Sequence, residues 1–154
     1  MLLSDLFQAE DLVLGFDPRD KWVGIDALVS HLAETGRLPA ERLDEVREAV
    51  LNRERSMSTG FENGVAIPHA AVEGLDGVIG CVGIVSREEG LPFDSIDGQP
   101  ARVVVLLVIP LAEKLQHIRT LSDVALVLRN EDVRTRLLAT TDAAAAHAVL
   151  CSQA

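Results

Sequence analysis

Apolar side chains recur at helical spacing in several parts of the chain. In the first part, from about residue 20 to residue 35, they stand at Ile25, Leu28, Val29 and Leu32, as on the buried face of an amphipathic helix. A second helix is predicted to begin at Pro39, which suits a first helical turn, and a third to follow Pro110. Two short helices are predicted near the end of the chain, at about 132–139 and 142–150.

The second and third helices are each predicted to bury one apolar face. The second helix is predicted to end near Arg53, and its buried positions are Leu43, Val46 and Val50. The buried positions of the third helix are Leu115, Ile118, Leu121, Ala125 and Leu128.

Two longer stretches are apolar without helical spacing. Residues 78–85 and 103–109 place apolar side chains on both faces of a pleated strand, and a turn-rich connection, 92–100, lies between them. Strands of this kind are covered by helices on both sides. We therefore expect a single α/β domain over residues 1–154, with a mixed central sheet flanked by helices on both faces.

Charge and composition narrow the classes of partner. The 154 residues are 48% apolar and carry a formal net charge of −10. We expect a globular protein that binds neither nucleic acid nor an anionic membrane surface, since both require a basic patch. No apolar stretch reaches the roughly 20 residues that span a bilayer, and no signal peptide is evident. Cys81 and Cys151 lack CxxC spacing, which is typical of reduced thiols in a cytoplasmic protein.

One histidine follows a short apolar run and a proline. Residues 65–67 are predicted to form a strand, and Pro68 restricts the backbone, so His69 is presented in a fixed direction. Phosphate-binding glycine loops and the HExxH and GxSxG motifs are absent. No Cys or carboxylate stands at ligand spacing around His69 or His117, so we expect no metal and no cofactor. The interpretation that remains is that His69 acts as a nucleophile through its neutral imidazole. The alternative is that His69 is a histidine at the end of a strand with no function.

The residues around this histidine resemble a known family. Residues 58–69, STGFENGVAIPH, are similar to the phosphorylation-site signature of the enzyme IIA components of the fructose/mannitol class of the bacterial phosphoenolpyruvate:sugar phosphotransferase system, closest to the nitrogen-regulatory branch. Further similarity occurs, in the family's order, at Arg53-Glu54-Arg55, at 92–94 and 97–100, at 103–110 and at 117–122.

The resemblance implies a function for each candidate residue. His69 would accept a phosphoryl group from the phosphohistidine of a small carrier protein, HPr or its nitrogen-branch relative, and His117 would assist. Arg53, Thr59 and Asn63 are the predicted phosphate-binding residues. Each also has a purely structural alternative. Arg53 could be a cation at the end of a helix, Thr59 could cap a turn, and Asn63 could be present for a left-handed backbone conformation. An enzyme IIB or a regulatory target would be the onward partner.

Glu62 departs from the family pattern, which has glycine there. Its carboxylate would disfavour a phosphoryl dianion on His69 if the two groups lie close together. Three functions therefore stay open: a phosphoryl relay, a regulatory module that uses the histidine as a switch, and a degenerate sensor that has lost phosphorylation. His31 and His147 have no supporting motif and are interpreted as surface or boundary residues.

Overall fold

The computed structural model describes residues 3–152, except for the side chain of Lys114. The predicted domain range of 1–154 therefore extends beyond the described residues at both ends. The helices are α1 (Leu3–Leu6), α2 (Lys21–Glu34), α3 (Leu43–Ser56), α4 (Lys114–Arg129), α5 (Glu131–Ala139) and α6 (Ala143–Cys151). The strands are β1 (Leu12–Phe16), β2 (Val65–Ala66), β3 (His69–Val72), β4 (Ile79–Val85) and β5 (Val103–Pro110). Single 3₁₀ turns occur at Ala9–Asp11 and Ala40–Arg42.

β5 is the centre of a mixed five-stranded sheet. The strand order is β1, β4, β5 and β2, and β3 also pairs with β5. β5 runs antiparallel to β4 and parallel to β2 and β3, while β1 is parallel to β4. All eight residues of β5 are buried, as expected for a strand that is covered on both faces.

β2 and β3 form one edge strand that Pro68 interrupts. Val65 lies opposite Val103 and His69 lies opposite Leu107, so the register is the same on both sides of the proline. Pro68 has no N–H to donate, but its carbonyl accepts from the N–H of Leu107 at 3.1 Å. Sheets tolerate proline mainly on edge strands, and this one continues past Pro68 with His69 as the next paired residue.

Alternate residues of β5 face two different helical layers. Val103, Val105, Leu107 and Ile109 pack with α1, α4, α5 and α6, and Val104, Leu106 and Val108 pack with α2 and α3. The predicted α/β class, with a mixed central sheet and helices on both faces, is confirmed.

The predicted helices are found with small changes at their ends. α2 begins after Asp20, whose side chain accepts a hydrogen bond from the N–H of Val23 and so caps the helix. The helix expected from Pro39 starts with the 3₁₀ turn and becomes α3 at Leu43. The patterns did not predict α1, the first 3₁₀ turn, β1 or β3, because each is too short for a periodic signal.

The prediction for the apolar face of α4 is partly wrong. Leu115 and Ile118 are 78% and 67% exposed, whereas Val124 and Leu128 are buried, and Leu121 packs against the same core. The apolar residues of this helix occupy two overlapping stripes, and spacing alone does not tell which stripe meets the sheet. The first two turns of α4 therefore present apolar side chains outward.

Two expectations from composition can be compared with the described residues. Between residues 3 and 152, no helix is long and apolar enough to cross a membrane. Cys81 and Cys151 are both free thiols, and burial raises the pKa of each.

The close approach of β4 and β5 predicts an effect of adding one methyl group. A Cβ at Gly80 would lie 2.6 Å from the Leu106 carbonyl oxygen, so Gly80→Ala should lower the free energy of unfolding by about 1–3 kcal/mol through overpacking. Gly77→Ala is the matched control, since a Cβ there meets no atom within 4 Å, and its effect should stay within about 0.5 kcal/mol. Urea unfolding measures both, and equal midpoints would contradict the close packing.

Candidate functional site

The backbone of Ile67 determines how the His69 ring is held. Ile67 lies between β2 and β3, and both of its backbone hydrogen bonds fall outside the β5 ladder. Its N–H donates to the Thr59 carbonyl at 3.0 Å, and its own carbonyl lies 2.8 Å from Nδ1 of His69. A carbonyl oxygen can only accept, so Nδ1 carries the hydrogen and Nε2 keeps its lone pair. Among the described side chains and backbone groups, which leave out the Lys114 side chain, none forms a hydrogen bond with Nε2.

The surroundings of His69 keep its ring neutral. Only 8% of the residue is exposed, and burial is the main cause that lowers its pKa below the usual 6.5. The hydrogen bond to Ile67 acts in the opposite direction, while the charge of Arg53 and the neighbouring His117 lower the pKa further. The neutral imidazole therefore predominates at pH 7, and this is the nucleophilic form.

The His117 ring lies against the His69 ring and comes from the helical layer that contains α4. It stands in the first turns of α4, and the two ring centroids are 5.4 Å apart with the planes at 78°. Burial lowers the pKa of His117, and the charge of Arg53 adds to that effect. A neutral His117 retains one N–H that can donate to an anion bound beside His69.

Arg53 supplies the positive charge near both histidines. It stands in the last turn of α3, where a cation is favoured by the helix dipole. Its Nη1 donates to the Met57 carbonyl at 2.9 Å, and its charge acts on both His69 and His117. The three residues thus come from α3, β3 and α4, one from each layer.

Thr59 lies beside the site with its hydroxyl already engaged. The hydroxyl donates to the Glu54 carboxylate at 2.5 Å, and the Thr59 N–H is 3.1 Å and 3.3 Å from the two oxygens of the same group. Glu54 is only 2% exposed and also accepts from Lys21 Nζ at 3.0 Å. Thr59 is therefore part of a buried polar cluster with Glu54 and Lys21.

Asn63 lies on another part of the surface. Its φ is 61°, a left-handed value that asparagine tolerates better than most residues. Its N–H donates to Oδ2 of Asp97 at 2.9 Å, which ties the loop to the connection between β4 and β5. Asn63 lines two surface depressions, one together with Leu128 and the other together with Arg134. Neither His69 nor His117 lines either depression.

Glu62 also points to this other part of the surface. It is exposed and lines a groove with Phe61, Ile96 and the C-terminal half of α4. Leu128, in the same groove, lies about 16 Å beyond His117 along the helix at about 1.5 Å per residue. The carboxylate whose charge acts on His69 is that of Glu54.

The two remaining histidines, His31 and His147, each contact a backbone carbonyl of the N-terminal segment. Nε2 of His31 is 2.7 Å from the Glu10 carbonyl, and Nε2 of His147 is 2.8 Å from the Phe7 carbonyl. Both rings thus fasten the N-terminal segment. Among the residues that the structure describes, no three His, Cys, Asp or Glu side chains are grouped to hold a metal ion.

Comparison with known sequences identifies the family. The family model described as "Phosphoenolpyruvate-dependent sugar phosphotransferase system, EIIA 2" matches residues 5–153. The chain belongs to this family. A nitrogen regulatory protein of Bradyrhizobium diazoefficiens is 31% identical over 150 residues, which are 97% of this chain and 95% of the relative. The fructose-specific EIIABC component of Bacillus subtilis is 30% identical over 138 residues, and the match spans 90% of this chain but only 21% of that longer protein.

Solved structures of EIIA proteins share the fold. The crystal structure of the nitrogen regulatory protein IIA-Ntr from Neisseria meningitidis has a TM-score of 0.84 at 25% identity, covering 96% of this chain and 98% of the other. The mannitol enzyme IIA of Escherichia coli, solved in complex with phosphorylated enzyme IIB, has a TM-score of 0.75 at 25% identity and covers 95% and 97%. The predicted resemblance is confirmed, and the chain is a phosphotransferase-system component.

Sequence reasoning missed two features of this EIIA site. The Ile67 carbonyl carries no side-chain signal, so its contact with the imidazole was beyond prediction. Glu54 did leave a signal, since it is an acid between two arginines at the end of a helix, where the dipole disfavours negative charge. An acid in that position indicates a specific partner, which the structure provides in Lys21 and Thr59.

The charge of Arg53 predicts a shared effect on the two histidines. Arg53→Gln should raise the pKa of both His69 and His117, since removal of the cation favours protonation of each ring. NMR titration of the Hε1 resonances measures this. Arg55→Gln is the matched control, because Arg55 is exposed and contacts Asn52 and Glu48 instead, and it should leave both pKa values in place. A shift in only one histidine in Arg53→Gln would contradict the shared geometry.

Proposed function

We propose that this EIIA protein accepts a phosphoryl group on Nε2 of His69 and passes it to a second protein. The observation that carries the proposal is the hydrogen bond from Nδ1 to the Ile67 carbonyl. It fixes the ring and leaves the Nε2 lone pair as the nucleophile. The lowered pKa keeps that lone pair available at pH 7.

The transfer needs little covalent chemistry from the protein. The Nε2 lone pair forms a bond to phosphorus while the bond between phosphorus and the donor's imidazole nitrogen breaks, and the donor ring keeps the electron pair. Negative charge is spread over the three equatorial oxygens during this step, so catalysis rests on alignment and on positive groups around them. No metal or cofactor is part of the proposal.

Arg53 and His117 are the groups that we assign to the phosphoryl oxygens. Arg53 can exchange its bond to the Met57 carbonyl for a charge-assisted bond to an oxygen, and His117 can donate its N–H from the facing helix. We assign Thr59 and Asn63 to support of the loop, since the Thr59 hydroxyl already donates to Glu54 and Asn63 lines a separate surface.

The partners in the proposal are two other proteins. The donor is HPr or an HPr-like carrier with a phosphohistidine, and the acceptor is an enzyme IIB or a regulatory target. Support for an enzyme IIB comes from the mannitol relative, which was solved bound to one. Leu115 and Ile118 are exposed on the helix that carries His117, so the site has an apolar margin on which a partner protein can dock.

A regulatory role for the same phosphorylation is the second candidate. A relative that matches 97% of this chain is named a nitrogen regulatory protein, and the Neisseria structure has the same designation. In that case the phosphoryl group on His69 would change which partner binds, with no need for onward transfer.

Phosphorylation assays test the assignment of the two histidines. With phosphoenolpyruvate, enzyme I and HPr, the protein should gain one phosphate on His69, with a linkage that is labile in acid and stable in alkali. His69→Ala should abolish the gain, and His117→Ala should slow it by about a hundredfold, as expected for loss of one donor. Intact-mass spectrometry and peptide mapping measure both.

His31→Ala is the control for these assays, because the His31 ring bonds to the Glu10 carbonyl in the N-terminal segment, and this variant should be phosphorylated like the wild type. Label on His117 alone would reverse the assignment. The absence of any added phosphate, while a reference acceptor is labelled in the same mixture, would exclude both the relay and the switch.

The position of Glu62 predicts that its charge has little effect on phosphorylation. Its carboxylate is exposed and lies in the groove beside the C-terminal half of α4, so screening should keep the phosphorylation equilibrium of Glu62→Gln within about twofold of the wild type. The measurement is the phosphorylated fraction at equilibrium with the donor at low salt. A tenfold increase would instead place the carboxylate at the phosphoryl group and restore the degenerate-sensor hypothesis.

A further inference from the structure

Glu54 is a buried carboxylate in an unfavourable place. It stands two residues before the end of α3, where the helix dipole disfavours an anion, and it is 2% exposed. Burial of a charge is costly unless partners satisfy it. Here Lys21 Nζ, the Thr59 hydroxyl and the Thr59 N–H all donate to it. Lys21 also lies 3.6 Å from Asp94, so the cluster links α2, α3 and the connection after β4.

A series of hydrogen bonds leads from this carboxylate to the imidazole. Glu54 holds the N–H and the hydroxyl of Thr59. The Thr59 carbonyl accepts from the Ile67 N–H at 3.0 Å, and the Ile67 carbonyl accepts from Nδ1 of His69 at 2.8 Å. Thr59 therefore holds the N–H of Ile67, and the carbonyl of Ile67 holds the His69 ring.

We propose that Glu54, held by Lys21, is a positioning residue for phosphoryl transfer at His69. It anchors Thr59, and through Thr59 it places the Ile67 carbonyl that keeps Nδ1 protonated and Nε2 free. This inference rests on the proposed function for its catalytic consequence, but its effect on the ring exists in the unphosphorylated protein.

The charge of Glu54 has a second effect on the same ring. Formation of the bond between Nε2 and phosphorus places positive charge on the imidazole, because the lone pair is shared while Nδ1 keeps its hydrogen. A carboxylate nearby stabilises that charge. The charged or titratable neighbours that act on His69 are Arg53, His117 and Glu54, and Glu54 is the anionic one.

Removal of this charge without loss of volume is the direct test. Glu54→Gln should reduce the rate of phosphoryl acceptance by about tenfold, since small displacements of a nucleophile have effects of this size or larger. It should also lower the pKa of His69 and populate the tautomer with hydrogen on Nε2. The ¹⁵N chemical shifts of the His69 ring measure the tautomer and the pKa. The rate of phosphoryl acceptance is measured by quenching the reaction at set times and determining the phosphorylated fraction.

The control is Glu48→Gln, which removes an exposed carboxylate from the same helix and should change neither the rate nor the ring. Thr59→Val is a milder variant that removes only the side-chain bond to Glu54. It should shift the tautomer in the same direction by a smaller amount, and it keeps the proposal testable if Glu54→Gln does not fold.

The readouts separate the possible outcomes. A slower rate with an unchanged tautomer and unchanged His69 pKa would overturn the positioning role, as would wild-type behaviour of both variants. If Thr59→Val slows the reaction without altering the ring, Thr59 instead contacts the phosphoryl group directly, and the proposal again fails. If the wild type accepts no phosphate but the ¹⁵N shifts of the variants change as expected, Glu54 does position the ring, and it is the proposed function that fails.

Discussion

The hydrogen bond between Nδ1 of His69 and the Ile67 carbonyl is the constraint on which the site depends. This hydrogen bond requires a carbonyl that is not bonded within the sheet, close to a residue that is paired within the sheet. The edge strand meets both conditions, because Ile67 makes its bonds away from β5 while Pro68 and His69 pair with Leu107. The short interruption at Pro68 thus creates the acceptor for the ring and keeps the following residue in register.

Opposite charges balance around this ring. Burial is the main cause that lowers the pKa of His69 and Arg53 lowers it further, whereas Glu54, the neighbour of Arg53 along α3, favours positive charge on the imidazole. A site with Arg53 alone would hold phosphate well but oppose the charge that the ring takes when it is phosphorylated. In the proposed reaction, two adjacent residues at one helix end would therefore act on the two parts of the product: Arg53 on the phosphoryl group and Glu54 on the ring.

The sequence was sufficient for the fold class and for three of the residues that meet at the site. Periodicity located α2, α3 and the central strands because those segments are long and their burial is one-sided or complete. It misassigned Leu115 and Ile118, since a helix with two apolar stripes has no unique buried face. The family resemblance indicated His69, His117 and Arg53. The engaged hydroxyl of Thr59 depends on the burial of Glu54, which Lys21 on another helix also holds, and the location of Asn63 depends on its bond to the distant Asp97. Contacts of that kind have no local pattern.

The three central residues belong to three layers, with Arg53 on α3, His69 on the sheet and His117 on α4. Their spacing is therefore a property of interlayer packing, which is set by core side chains far from the chemistry. A volume change beneath either helix would slide that helix against the sheet and alter the distance from His69 to Arg53 or to His117, even with every polar residue retained. In the proposed reaction, an aliphatic substitution beneath α3 would therefore change the rate through Arg53, and one beneath α4 would change it through His117.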